Sequence, residues 1–241
     1  MHLFERMILL GGENHFLKKT KLVDSKLTLD LKSDFDYYHY ACTKSYCSLS
    51  TALDKARMSI KLIDFKYIAI IDGEKYPAHS YVELFIENSI IRIQSIYDRV
   101  LIFVNKLLEL GISNESINHN ILVTNENVIK YGFDKKLKVL NKKFGEHRLT
   151  RNTIIHHDCF SNEDLNILSS IHFSNEIGIF SSIGSVVSES ELNTLTTEYL
   201  DECRTMHHDY LAEIEKKLNE LLDAACFIFA DKKIKHEKNT T

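Results

Sequence analysis

Residues 80–111 read SYVELFIENSIIRIQSIYDRVLIFVNKLLELG. Ile86, Ile90, Ile93, Tyr97, Val100, Val104 and Leu108 recur at intervals of three and four, which lays one apolar stripe along an α-helix. Ser80 and Glu83 fit a capping box at its start, and Gly111 stands where a C-terminal cap is expected. About thirty residues at a rise of about 1.5 Å span roughly 45 Å. Glu87, Arg92, Asp98, Arg99 and Lys106 interrupt the run, which marks a core helix and not a membrane span.

Working outward, a second long stripe follows. Ser188 and Glu191 again fit a capping box, and Leu192, Leu195, Tyr199, Cys203, Met206, Tyr210, Ile214, Leu218, Leu221 and Ala225 line one face after them. Ala52, Ala56, Ile60 and Ile63 predict a helix over about 45–66, and Phe65–Ile71 is either its end or a short strand. Residues 133–144 form a basic amphipathic helix, and a further helix is predicted over about 146–158. Residues 112–132 are polar and Asn-rich, with one short turn, and a short helix fits 163–171. A single proline and eight glycines leave little turn punctuation, which favours long helices. The expectation is an all-α, up-and-down bundle of about four major helices (45–66, 80–110, 146–158 with 133–144 before it, and 189–229). It divides into an N-terminal extension of uncertain structure (1–33), a helical domain (34–230) and a polar, Lys-rich, disordered tail (231–241).

The chain has 241 residues, 44% hydrophobic and 27% charged, an ordinary composition for a globular protein. Its five cysteines (Cys42, Cys47, Cys159, Cys203, Cys226) are odd in number and scattered, which suggests free thiols in a reducing compartment. The first ten residues hold Glu5 and Arg6 and do not read as a signal peptide, so the cytoplasm is expected. No uncharged apolar stretch approaches the roughly 20 residues of a membrane span. Net charge is −4, which does not suggest general nucleic-acid affinity, and DNA is not an expected partner. The distribution is more telling. Residues 130–151 carry eight Lys or Arg against two acids, and residues 158–202 carry nine acids with no Lys or Arg. The first block offers a local cationic surface to a polyanion.

The basic block runs into Arg151-Asn152-Thr153-Ile154-Ile155-His156. Arginine supplies a permanent planar cation that grips phosphate. Histidine titrates near neutral pH and can move a proton. Asn152 lies one helical turn from His156 on the same face, where it can orient the imidazole or bind a phosphate. Arg151 is about 140° from His156 around a helix, so one helix does not stack the two side by side. A long Arg side chain, or a second copy across a two-fold axis, closes that gap. Ile154 and Ile155 are expected to anchor the helix. No cofactor or metal is implied. His156-His157-Asp158-Cys159 points in four directions on a helix and suits no single ion. Arg204 with His207-His208 repeats an Arg–His pairing, and is read as a solvated edge.

Arg151-Asn152-x-x-x-His156, placed late in an all-α bundle, resembles the Arg-x4–6-His motif of the HEPN superfamily (higher eukaryotes and prokaryotes nucleotide-binding domain). The helix carrying Ser95-Ile96-Tyr97-Asp98-Arg99-Val100 resembles the corresponding helix of bacterial stand-alone HEPN proteins. The resemblance covers residues 45–230. It implies a metal-independent endoribonuclease, usually a homodimer in which two motif helices build one cleft. Its ribose 2′-hydroxyl chemistry leaves a 2′,3′-cyclic phosphate and a 5′-hydroxyl, with Arg151, Asn152 and His156 as the site residues. It further implies an RNA substrate, a role in toxin, phage-defence or RNA-processing systems, and a cognate antitoxin or regulator among its partners. The alternative is a non-catalytic HEPN-like module that binds a nucleotide or a protein. Asp158 stands where nucleotidylated HEPN toxins carry a tyrosine, which argues against control by that route.

Overall fold

The apolar stripe of residues 80–111 is helical in the computed structural model, which describes residues 1–10, 19–71, 78–156, 159–177 and 187–238. Ten helices and one hairpin occur among the described residues. In chain order they are α1 (Leu3–Leu10), β1 (Thr20–Val23), β2 (Lys26–Leu29), α2 (Asp34–Lys61), α3 (Phe65–Ile71), α4 (Ala78–Leu107), α5 (His119–Thr124), α6 (Glu126–Lys130), α7 (Phe133–Gly145), α8 (Arg148–His156), α9 (Glu163–Glu176) and α10 (Glu189–Lys238). The fold is all-α. The backbone gathers into two compact units, one of Met1–Thr51, Ile96–Phe144 and Ile214–Thr241, the other of Ala52–Ser95 and Gly145–Glu213. The divisions fall inside α2, α4 and α10, so each of these three helices contributes to both units.

Helix α4 starts at Ala78, so Ser80 lies within its first turn and not at a cap; Pro77 is outside the described residues. The helix ends at Leu107, where Glu109 takes the left-handed conformation (φ 53°) and the Leu110 N–H donates back to the Asn105 carbonyl at 3.1 Å, so the cap expected at Gly111 falls two residues earlier. Gly111 takes a φ of 71°, and the Asn105 side chain clasps Ile112, donating to its carbonyl at 2.7 Å and accepting from its N–H at 3.2 Å. The capping box opening α10 forms as expected: Glu191 accepts from the Ser188 N–H at 2.8 Å, and the Ser188 hydroxyl accepts from the Glu191 N–H at 3.3 Å. The Asn-rich stretch yields two short helices, each capped by an asparagine. Asn118 accepts from Ile121 N–H at 3.0 Å and Asn125 from Asn127 N–H at 2.9 Å.

Four expectations are corrected. Helix α2 begins at Asp34, eleven or so residues before the predicted start, because Ser33 and Asp36 form their own capping box. Asp36 accepts from the N–H groups of Lys32 and Ser33, and the Ser33 hydroxyl accepts from the Asp36 N–H. Burial opposes ionisation of Asp36, yet the Lys19 ammonium and those backbone donors override it and hold its carboxyl at about 2. Residues 65–71 form α3, a separate helix. The end of the chain is not a loose tail, since α10 continues to Lys238. Lys232 and His236 there meet the Glu109 carboxylate at 2.6 and 3.0 Å, which secures the last turns. Finally, the N-terminal segment is no mere extension.

In the first unit, Phe4 and Ile8 of α1 are fully buried. The Phe4 ring meets Tyr46, Phe103 and Phe229 at centroid distances of 5.5, 5.3 and 6.0 Å. The Tyr38 ring stacks on Phe229 at 5.7 Å, and its hydroxyl donates to the Leu107 carbonyl at 3.1 Å. His39 reaches the Ile8 carbonyl through Nε2 at 2.7 Å, so its imidazole donates there and closes the end of α1. Burial pushes the Cys42 thiol up to about 12, which keeps it protonated inside this aromatic cluster. None of the five cysteines forms a disulfide.

The second unit packs around Ile63, Ile68, Val82, Ile86, Ile90, Leu165, Leu200 and Cys203. These come from the turn after α2 (Ile63), from α3, from the first half of α4, from α9 and from the early turns of α10. Partly buried Phe65, Tyr81, Phe85, Ile154, Phe160 and Tyr199 close around that cluster. Arg204 binds Asp64 at 3.1 Å and Asp201 at 2.7 Å, tying the turn after α2 to α10.

Phe4→Ala removes a fully buried aromatic ring, so unfolding free energy in urea falls by about 3–5 kcal/mol. A loss under about 0.5 kcal/mol, the range of a surface change, contradicts a structural role for α1.

Candidate active site on helix α8

Helix α8 is nine residues long and has no fully buried side chain. That is too short to hold itself in water, where isolated helices below about 12–15 residues are marginal. Three anchors fix it to the second unit. Just before it, the His147 ring packs edge-on against Tyr210 at 4.5 Å. Within it, Ile154 sits against the apolar cluster. After it, the chain is recaptured at Phe160, whose N–H donates to the Glu87 carboxylate at 2.7 Å. Burial nevertheless pushes the Glu87 carboxyl up.

Only one of the two isoleucines faces inward. Ile155 is 41% exposed, since neighbouring positions diverge by about 100° around a helix. With Ile154 turned in, the outward face carries Leu149, Asn152 and His156. Arg151 and Asn152 are half-buried and His156 is exposed. Leu149 is 81% exposed, an apolar side chain in the open beside the polar group.

The structure joins Arg151 to Asn152 directly. The guanidinium donates from Nη1 to the Asn152 Oδ1 at 3.0 Å. This occupies one of the two lone pairs of the carboxamide oxygen and leaves its NH2 group free to donate elsewhere. What Arg151 and Asn152 then present outward are N–H donors, a set suited to anionic oxygens. His156 follows Asn152 by one turn, roughly 6 Å along the axis. Asn152 therefore acts first as a partner of the arginine. The sequence spacing showed only its alignment with the histidine. His157 and Asp158 lie outside the described residues, so the His-His-Asp-Cys run is described only at His156 and Cys159.

Beneath the start of α8 lies a buried polar cluster that the sequence reading missed. His207 is 2% exposed, where a solvated edge was expected; its neighbour His208 is exposed. The Ser89 hydroxyl donates to the Ile86 carbonyl at 2.7 Å and accepts from His207 Nδ1–H at 2.6 Å. Gln94 donates to the Tyr210 hydroxyl at 3.2 Å. His147, His207, Gln94 and Tyr210 line a small cavity with Ile90 and Ile93. The signal available in sequence was spacing: His207 sits four residues from Cys203 and three from Tyr210, in the apolar stripe of α10.

Burial, and secondarily the charge of His147, push the His207 imidazole from its usual 6.5 down to about 4. The folded state thus holds it neutral, and the unfolded chain takes the proton first as pH falls. Its contribution is complete above pH 6.5, is lost on going down to about pH 4, and changes no further below that. The full loss is roughly 3 kcal/mol. The stability advantage of the wild type over His207→Gln should therefore shrink by about that amount between pH 7 and 4 in urea titrations. A constant difference across the range contradicts a neutral buried imidazole.

A helical protein with Arg151, Asn152 and His156 on one surface helix fits the HEPN class. The family model described as Cthe2314-like HEPN matches residues 38–222. The chain belongs to the HEPN superfamily. The matched region starts inside α2 and ends inside α10, and leaves α1 and the hairpin outside it. Among curated proteins and among solved structures, nothing matches the chain.

Proposed function

We propose that this HEPN protein is a metal-independent endoribonuclease, acting as a homodimer through Arg151, Asn152 and His156. The observation that carries the reading is the Arg151–Asn152 hydrogen bond, which holds the guanidinium and the carboxamide NH2 together as donors on α8, with Asn152 one turn from His156. Family membership supports it, since HEPN domains often are ribonucleases.

The chemistry needs three things of these groups. A ribose 2′-oxygen forms a bond to the adjacent phosphorus while the bond from phosphorus to the 5′-oxygen breaks. The 2′-hydroxyl proton leaves to a base, and the departing 5′-oxygen gains a proton. His156 carries one of these protons. Arg151 and Asn152 bind the non-bridging oxygens, where negative charge grows. The second copy of α8 supplies the other imidazole and guanidinium across a two-fold axis. Leu149 and Ile155, both apolar and exposed, become covered by that pairing. We place the activity in the cytoplasm, in a toxin, phage-defence or RNA-processing setting, with a cognate antitoxin or regulator as partner. No helix among the described residues is long and apolar enough to cross a membrane.

Purified protein should cleave RNA in the presence of chelator. His156→Ala should lose about 10²–10⁴ in rate. Arg151→Ala should lose on the order of 10²–10³. The helical circular dichroism of both should be unchanged. Cleavage persisting in both variants excludes the proposed site. Absence of cleavage of any RNA by the wild type favours a non-catalytic binding module.

Leu149→Asp tests the assembly. A charge placed in a two-fold apolar contact is met by its own copy, so the variant should sediment as a monomer and lose cleavage without losing fold. A wild type that sediments as a monomer rules out the composite site.

A further inference from the structure

Helix α7 carries a surface that α8 does not account for. It buries Phe133, Asp134, Leu137, Leu140 and Phe144 against the first unit. Lys135, Lys138, Val139 and Lys142 are exposed on its other side. The three lysines recur at spacings of three and four, so they form one row, about 10 Å long at helical rise. Val139, 48% exposed, sits within the row.

Such a row works against the helix that bears it. Like charges at these spacings each destabilise a helix by about 0.2–0.5 kcal/mol. Elsewhere in this unit some lysines are relieved by carboxylates, Lys21 by Asp30 at 2.7 Å, Lys232 by Glu109 at 2.6 Å and Lys235 by Asp231 at 2.7 Å, while Lys44 and Lys106 stand singly in no ion pair among the described residues. Within the row, Lys138 meets Asp134 at 3.1 Å, and the same carboxylate also feels the charge of Lys135. Lys135 and Lys142 sit in no ion pair among the described residues. Three exposed lysines in one row against a single carboxylate are a local excess of positive charge on a chain of net charge −4. It calls for an external anion.

We infer that Lys135, Lys138 and Lys142 form a docking track for the phosphate backbone of RNA, distinct from the residues that act on it. The inference rests on the endoribonuclease reading only for the identity of the polyanion. RNA is favoured over an acidic protein because the row is linear and spaced for successive charges. The three ammonium groups follow one another at about 4.5 and 6 Å of helical rise, so each can meet a phosphate of one strand running along the row. It offers Val139 and no aromatic platform, so it reads backbone and not bases. Its contribution is affinity without sequence preference.

The test uses the full chain and an RNA of about 20 nucleotides, fully 2′-O-methylated so that it binds without being cleaved. Affinity is measured by fluorescence anisotropy from roughly 50 to 200 mM salt. The variant is Lys135→Gln, Lys138→Gln and Lys142→Gln together, since glutamine matches lysine in helix propensity. Loss of three phosphate contacts should flatten the slope of log K against log salt by about two. The dissociation constant at about 150 mM salt should rise at least tenfold. With cleavable RNA, KM should rise while kcat stays within about twofold, because the row binds substrate and transition state alike. Unchanged slope and affinity overturn the track, whether or not the wild type cleaves. Tighter binding of a polyglutamate peptide or of phosphatidylserine vesicles than of RNA overturns it too. A wild type that binds with the expected slope but never cleaves leaves the track standing and removes the endoribonuclease reading. One that cleaves equally well with the variant removes the track alone.

Discussion

The apolar stripe of α4 has to be buried over thirty residues, and much of the molecule follows from that requirement. Its first half, through Val82, Ile86 and Ile90, joins α2, α3, α9 and α10 in the second unit. Its second half, from Ile96 to Leu108, belongs to the first unit with α1, α7 and the later part of α10. A helix of that length cannot satisfy both ends with one local neighbour. Two other helices, of 28 and 50 residues, accompany it through both units. Short elements fill the remaining faces, and α8 is one of them.

Buried hydroxyls make this arrangement possible at polar positions of the long helices. Thr43, Ser45, Ser59 and Ser89 are buried, and each donates back to a carbonyl three or four residues earlier in its own helix. The helix itself therefore satisfies them, and no neighbour has to supply a partner. Ser89 has a second task, since its oxygen also accepts a hydrogen bond from His207. The same polar cluster carries His147, and with it the start of the motif helix.

The all-α class, the extent of α4 and the capped start of α10 could be read directly, because strong periodicity and the Ser188–Glu191 box act locally. The early turns of α2 could not. Tyr37, Tyr38, His39 and Tyr40 show no clean stripe, and the buried pair Tyr38 and His39 meets Phe229 and the end of α1, which are distant in sequence. The Ser33–Asp36 box was legible but stood in a polar stretch that resembles a loop. At the candidate site, the presence of Arg151, Asn152 and His156 on one helix was legible. Which isoleucine turns inward was not, nor was the bond between Arg151 and Asn152, because both depend on where the apolar cluster lies. The burial of His207 was hidden for a related reason. Its neighbours on the stripe are apolar, but the partner that makes a buried imidazole tolerable is Ser89, over a hundred residues earlier.

The absence of any fully buried residue in α8 has a consequence for its lifetime. A segment of nine residues held by one ring contact, one isoleucine and one recaptured N–H can open without disturbing either core. Its amide protons belong to the fast-exchanging class, lost through local fluctuation, while those of mid-α4 wait for the whole protein to unfold. The arginine and histidine thus ride on the part of the second unit with the least protection of its own. Whatever settles on Leu149 and Asn152 adds order there, and slower exchange in these nine amides reports its arrival before any change in chemistry does.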